Sequence, residues 1–284
     1  MKRIIILLPV YNDWKSLQLL LKKINYQFKN KKFIIEIYIM DDGSSDQDHI
    51  QYRYLKNIRK IKIIKLKRNM GSQKAIFIGL NKIKKEKKNS IIVVMDSDGE
   101  DDPSKILILC KEAMLKKTSI IFAKRKKRLE TLLFRLLNQL RLIITFLLTG
   151  KYLDFGNFSA FSNQNLKSIM KNNNISIAFC SGVVKNHKKI DLVNISKKKR
   201  FFGNSKVNNL FLVKHSINII SVFYKKVFLR TSIVFIFILL VGLVKLNYIL
   251  IIFILINFLF FFFNFNEISK VIPKNYISKI INIK

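Results

Sequence analysis

Cysteine, histidine, proline, glycine and acidic residues are all scarce in this 284-residue chain. Two cysteines, Cys110 and Cys180, form no CxxC pair and no ligand cluster, which excludes a disulfide framework and a thiolate metal site. Buried, reduced thiols in a reducing compartment are expected. The three histidines, His49, His187 and His215, stand apart with no partner at metal-ligand spacing, and none is assigned a role. Against 17 acidic residues stand 53 Lys and Arg, a formal net charge of +36. Such a balance suits an anionic membrane or nucleic acid. Ile, Lys, Asn and Phe are abundant throughout, however, as an AT-rich genome would give. Many of the phenylalanines lie in a C-terminal apolar stretch and not among basic residues. Acidic lipid head groups are therefore the expected partner of the charge, and nucleic acid is not.

The length allows one domain of about 200 residues and leaves no room for a second large one. Lys2 and Arg3 precede an apolar run, but Ile4 to Leu8 is too short for a secretory signal and Pro9 stops it, so a buried first strand is expected. Apolar strands are expected over 3–10, 33–40, 61–66, 90–95 and 119–123. Helices are expected over 14–26, 71–84, 105–116 and 130–148, the first with Leu17, Leu20, Leu21 and Ile24 on one stripe. Alternation of helices with wholly apolar strands predicts an α/β domain with a mostly parallel sheet. The segment 130–148 is apolar over much of its surface and fits either a core helix or a helix at a membrane interface. Residues 151–200 read as irregular and polar.

Beyond residue 226 the composition changes. Val227 to Val244 is apolar apart from Arg230, and Leu246 to Phe265 is almost free of charge. A spanning helix needs about 20 apolar residues. The second run meets this, and the first does so if Arg230 snorkels to the interface. The expected organisation is a catalytic domain at 1–205, a juxtamembrane helical segment at 206–226, a transmembrane hairpin at 227–266 and a basic tail at 267–284. Lys225, Lys226 and Arg230 at the entry, with Lys270 and Lys274 at the exit, predict that both ends face the cytoplasm.

Chemistry concentrates where strands end. Asp96-Ser97-Asp98 follows the fourth strand, and Glu100, Asp101 and Asp102 follow at once. Two carboxylates at i and i+2 can approach one hard cation, Mg²⁺ or Mn²⁺, that completes its shell with water and substrate phosphates. Asp41-Asp42-Gly43-Ser44-Ser45-Asp46 follows the second strand; alone it reads equally as a turn with a helix cap. Ligands of open α/β sheets bind at the carboxyl ends of the strands, so the placing of both clusters marks a site.

Pro9-Val10-Tyr11-Asn12-Asp13, the Asp41–Asp46 cluster, Arg68-Asn69-Met70-Gly71 and Asp96-x-Asp98 stand in an order and spacing that resemble the family 2 glycosyltransferases of GT-A fold, over roughly residues 3–215. With its apolar tail the chain looks like the polyprenyl-phosphate glycosyltransferases of the dolichol-phosphate mannose synthase type. Their Asp-x-Asp-Leu-Gln-Asp-Pro motif is matched at Asp96, Asp98 and Asp101, while Gly99 and Glu100 depart from it and Asp102 is extra.

The resemblance implies an inverting hexosyltransferase with a nucleotide-diphosphate sugar donor and a polyprenyl phosphate acceptor. A lipid-linked sugar or glycan in surface polysaccharide assembly is the alternative acceptor. It also implies that Pro9, Tyr11, Asp13, Asp41, Asp42 and Asp96 line the nucleotide pocket. Asp96, Asp98 and Glu100 would hold the metal, and Asp98, Asp101 and Asp154 would serve the reaction, the last two as candidate bases for a hydroxyl acceptor. Arg125 and Arg128 after the fifth strand, and Arg200 and Lys206 in an Arg-x-x-Gly-x-Ser-Lys segment, would bind phosphate. A multi-pass protein of the inner (cytoplasmic) membrane, as a monomer or a homo-oligomer, follows as the expectation. A non-catalytic membrane scaffold and a nucleic-acid-binding protein are the remaining readings.

Overall fold

A computed structural model describes residues 2–46, 50–86, 89–125, 132–187, 189–196, 198–203, 209–241, 246–269 and 276–283. Strands β1 (Lys2–Val10), β2 (Phe33–Asp41), β3 (Lys60–Leu66), β4 (Ser90–Val94), β5 (Ile120–Arg125), β6 (Ser159–Ser162), β7 (Ile190–Ile195) and β8 (Ile277–Asn282) build one sheet. Its order is β7-β5-β6-β4-β1-β2-β3-β8.

The Ile- and Leu-rich runs form strands because both faces are covered. Ile4, Ile6 and Leu8 of β1 point to the layer of helices α1 (Trp14–Gln27) and α3 (Ile106–Leu115). Ile5 and Leu7 point to the opposite layer of α2 (Ser72–Glu86), α5 (Leu166–Ile169) and α6 (Phe179–Asn186). All five β1 side chains are fully buried, worth about 1.5–3 kcal/mol each. The stripe expected on α1 is the buried one, joined by Trp14.

The topology positions the site. β1 pairs in parallel with β2 on one side and with β4 on the other, so the chain reverses its direction of winding at β1. Such a switch point opens a crevice beyond the strand ends. The register sets Val10 level with Asp41, and Asp42 N–H donates to the Val10 carbonyl at 2.8 Å. The three loops after β1, β2 and β4 thus converge.

Two regions depart from the sequence reading. Within the supposedly irregular 151–200 lie β6, antiparallel between β4 and β5, and β7, parallel to β5. β6 is four residues long and β7 alternates half-buried with exposed positions, so neither has a long apolar signal. The basic tail at 267–284 is not separate from the domain: its Ile277–Asn282 segment pairs antiparallel with β3 and closes that edge of the sheet.

Helices α4 (Leu132–Thr149), α7 (Asn209–Ser221), α8 (Tyr224–Val241) and α9 (Leu246–Ser269) form the remaining layer. α8 and α9 run antiparallel, pinned by Thr231 and Asn257, whose side chains bond at 3.0 Å, and by the stacked rings of Phe235 and Phe253. Within α9, Tyr248–Asn266 is long and apolar enough to cross a membrane, with a mean hydropathy of 2.5 and 17% of its window buried. It is the one such helix among the described residues. Arg230, expected at an interface, donates to the Leu147 carbonyl at 3.2 Å and lies against Gly150, where it neutralises the C-terminal end of α4.

Candidate active site

The loop after β1 is the clasp of the site. Asn12 adopts φ 47°, a left-handed conformation that asparagine tolerates. Its side-chain oxygen accepts from the Ser45 and Asp46 amides at 2.9 and 3.3 Å, and its own amide donates to Ser44 Oγ at 3.0 Å. Asp41 accepts from the Ser44 amide at 2.8 Å and faces Lys65 at 3.8 Å. The two carboxylate oxygens of Asp42 accept separately from the Met70 and Gly71 amides, each at 2.8 Å. Both aspartates are buried; Asp42 ties the loop after β2 to the 68–71 segment, while Asp41 holds the turn of its own loop.

The acidic segment after β4 is a closed turn. The Asp101 carboxylate accepts from the Asp96 amide at 3.0 Å, Asp98 accepts from the Glu100 amide at 3.0 Å, and Asp102 caps the Ser104 amide at 2.9 Å. Gly99, at φ 88°, makes the bend, and the Phe201 ring packs where a side chain on it would lie. Ser97 Oγ donates to the Pro9 carbonyl at 2.7 Å and holds the turn to the end of β1.

The segment 198–202 straps this turn from outside. The Lys198 and Phe201 amides donate to the Glu100 and Asp98 carbonyls, both at 3.0 Å. The Arg200 guanidinium bridges two carboxylates: Nη1 lies 3.4 Å from Asp98 Oδ2, and Nη2 pairs with Asp13. Asp13, Asp98 and Arg200, far apart in sequence, therefore meet. Asp96 is met by the Asn157 amide at 3.2 Å. Asp154 is half-buried on the same loop as Asn157. Tyr11 is exposed beside this group. Arg125 ends β5, while Arg128 and Lys206 lie outside the described residues.

Sequence reasoning missed Asn12, Ser97 and Asn157 as site residues. Asn157 stands three residues after the candidate base Asp154, which is the one signal that could have found it.

Burial is the main cause that pushes both Asp42 and Asp98 up to about 6, with the Asp96 charge adding at Asp98 and the Asp41 charge at Asp42. A folded-state value above the unfolded one means stability that is present at low pH and lost as pH rises through about 6. The donor-free protein is therefore expected to unfold at a higher temperature at pH 5 than at pH 7.5, read by thermal melts in the two buffers. The opposite order would show that these carboxylates ionise without resistance.

A divalent cation fits the turn by charge and donor type. Asp98 resists ionisation first because it is buried and then because Asp96 and Glu100 crowd it, and a bound cation relieves that repulsion. The expected trio Asp96, Asp98 and Glu100 does not form a ready-made cage: among the described residues no three acidic, His or Cys side chains converge on one point. One or two carboxylates with phosphate and water completing the shell match the habit of Mg²⁺.

The family model described as Glycosyl transferase family 2 matches residues 5–184. An undecaprenyl-phosphate 4-deoxy-4-formamido-L-arabinose transferase of Photorhabdus laumondii is 32% identical over 115 residues, 39% of this chain and 34% of that protein. A protein of the same description from Yersinia enterocolitica is 32% identical over 107 residues, 37% of this chain and 32% of its own. The matches thus span about a third of the length of these curated relatives. Among solved structures, glucosyl-3-phosphoglycerate synthase from Mycobacterium tuberculosis in complex with UDP aligns with a TM-score of 0.54 at 14% identity, covering 80% of each chain. The same enzyme with Mn²⁺, UDP and glucosyl-3-phosphoglycerate aligns at 0.51 and 16% identity, covering 79% of this chain and 80% of that one. At such identity the shared property is the GT-A fold.

Proposed function

This chain belongs to glycosyl transferase family 2, and from that premise we propose that it moves a sugar from a nucleotide-diphosphate sugar to a membrane-held polyprenyl phosphate, with inversion at the anomeric carbon. The observation that carries the reading is the meeting of Asp13, Asp98 and Arg200 at the switch point of the sheet. A donor has to present a base, a diphosphate and an anomeric carbon together, and these groups sit where the three loops converge. Pro9, Tyr11, Asp13, Asp41 and Asp42 border the nucleotide. Asp98, with Asp96 or Glu100, would hold Mg²⁺ or Mn²⁺, and the solved Mycobacterium tuberculosis enzyme carries Mn²⁺ with UDP. A bound cation would neutralise charge on the departing diphosphate.

The protein's own residues supply the rest. Arg200 offers a planar fork to phosphate oxygens, and Arg125, Arg128 and Lys206 are the further cations proposed to bind phosphate. Desolvation of Asp98 strengthens its pairing with Arg200. A lipid phosphate is anionic at neutral pH and needs no base to attack. A sugar hydroxyl would need one, and Asp154 suits that role better than Asp101, whose carboxylate closes the acidic turn.

Support for a lipid acceptor comes from the relatives named as undecaprenyl-phosphate transferases and from the apolar α8–α9 pair. An inner-membrane protein with its catalytic domain in the cytoplasm accommodates both, Lys225, Lys226 and Arg230 leading into the pair and Lys270 and Lys274 following it. The alternative acceptor is a lipid-linked sugar of a surface polysaccharide.

The test uses the purified full chain in lipid nanodiscs, a panel of UDP- and GDP-sugars, and polyprenyl phosphate, with and without Mg²⁺ or Mn²⁺. A cation-dependent glycolipid is the expected product. Release of nucleoside diphosphate only when a lipid-linked sugar is added would overturn the acceptor. Failure of folded protein to bind any donor in the panel would overturn transfer itself.

A further inference from the structure

Every nitrogen of the Arg200 guanidinium has a partner. Nε donates to the Phe202 carbonyl at 3.0 Å, which folds the group back along its own strap. Nη1 faces Asp98 Oδ2 at 3.4 Å, and Nη2 pairs with Asp13. The three side chains are mostly shielded from solvent, at 20%, 22% and 16% exposed for Arg200, Asp98 and Asp13. One cation thus serves carboxylates from two different loops. A planar fork can do this where a single ammonium cannot.

The grip on Asp98 is a loose one. Asp98 Oδ1 accepts from the Glu100 amide at 3.0 Å, and Oδ2 is the oxygen turned to Arg200. At 3.4 Å that contact is longer than the roughly 2.7–2.9 Å of a strong charged pair. A guanidinium and a divalent cation cannot share one carboxylate oxygen without repelling each other. Asp98 therefore holds one or the other.

The strap is fastened by other means. The Lys198 and Phe201 amides bond to the Glu100 and Asp98 carbonyls, and the Phe201 ring covers Gly99. Lys198 Nζ lies 3.7 Å from Asp102, and Lys23 of α1 lies over the Phe201 ring at 4.7 Å. None of these contacts runs through the Arg200 side chain, so it can change partners while the strap keeps its place.

We propose that Arg200 is the resident counter-ion of the acidic turn. It gives up Asp98 when a divalent cation takes that carboxylate, keeps Asp13 as its anchor, and turns the freed Nη1 to the donor's diphosphate. This rests on the cation and donor reading given above. The exchange couples the two ligands: a diphosphate that draws Arg200 away opens Asp98, and a cation on Asp98 releases Arg200 to the diphosphate, so each favours the other.

The test compares the full chain in lipid nanodiscs with Arg200→Ala and Lys198→Ala. The second variant removes the same charge from the strap, but from a side chain that faces Asp102 and not Asp98. Mn²⁺ binding without nucleotide is followed by electron paramagnetic resonance, and UDP and GDP binding is then measured at saturating Mn²⁺. Arg200→Ala is expected to bind Mn²⁺ alone at least about fivefold more tightly than the parent, the lower end of ordinary coupling between sites. The same variant is expected to bind the nucleoside diphosphate more weakly by a similar factor. Lys198→Ala is expected to stay near the parent in both. A merely structural defect weakens both ligands, so opposite signs identify the exchange. Mn²⁺ binding in Arg200→Ala that is unchanged, weaker, or tightened no more than in Lys198→Ala overturns the proposal while the cation reading stands. Tighter Mn²⁺ with unaltered nucleotide binding overturns the transfer of Arg200 to the diphosphate. If neither parent nor variant binds Mn²⁺, with or without nucleotide, the cation reading fails and the proposal falls with it. Should Arg200→Ala not fold, Arg200→Lys replaces it: one ammonium cannot hold both carboxylates, so Mn²⁺ alone should again bind more tightly.

Discussion

Asp98→Ala is expected to lower sugar transfer by about 10²–10³-fold, the scale on which a charge-stabilising group at a reacting centre acts. Asp98 is the carboxylate on which the contacts of the crevice meet. It lies on a turn that Asp101 and Gly99 close from within and that Phe201 and Lys198 strap from outside. It faces Arg200, and neighbouring carboxylates crowd it. Its loss should remove most cation binding and free Arg200 to pair with Asp13 alone. The fold should survive, because the Asp98 side chain accepts only one backbone amide, that of Glu100, among the bonds that shape the turn. Removing a desolvated charge should not lower the melting temperature at pH 7.5. Steady-state transfer, Mn²⁺ binding followed by electron paramagnetic resonance and a thermal melt together make the check. A loss of less than tenfold in transfer, with the melt unchanged, would remove Asp98 from the reacting centre.

Gly43→Ala should be the most damaging small substitution for stability, by about 3–5 kcal/mol. Two effects add. Gly43 sits at φ 73°, a left-handed conformation that a Cβ disfavours. That Cβ would also fall 2.7 Å from the Arg68 Cα and the Asn69 N, main-chain atoms that cannot swing aside. Pushing the 68–71 segment away breaks the paired bonds from the Met70 and Gly71 amides to Asp42 and leaves a buried carboxylate unsatisfied. Gly71→Ala is the internal control. Gly71 has φ 89° but open space around its missing Cβ, so only the conformational cost of about 1–2 kcal/mol applies. Urea unfolding of the two variants beside the parent measures the difference. Equal losses in both would mean that the approach of the two loops at Gly43 relaxes freely.

The α/β half of the fold was legible because its strands are buried on both faces. Runs such as Ile4 to Leu8 and Ile91 to Val94 carry that fact in composition alone. The α1 stripe was legible through its spacing, and the acidic turns through their position directly after strands. What stayed hidden depends on partners distant in sequence. The four residues of β6 are strand only because β4 and β5 flank them. Asn12 belongs to the Pro9–Asp13 motif, but its role appears only once Ser45 and Asp46 are brought beside it. Arg200 was marked for phosphate, but its bridge from Asp13 to Asp98 is a property of the folded crevice.

The strand β8 changes the mechanics of the whole molecule. The chain leaves the sheet domain after the strap at 198–203, runs through α7, α8 and α9, and comes back to lay Ile277–Asn282 along β3. The helical pair is thus fastened to the sheet by two leads. A single lead would let one body pivot about the other like a pendulum. Two points of attachment on the sheet side, the strap beside the acidic turn and the edge strand β8, are expected to restrict rotation of the helical pair more than one would. Cutting the chain after Ser269 would remove one of them without touching any residue of the crevice.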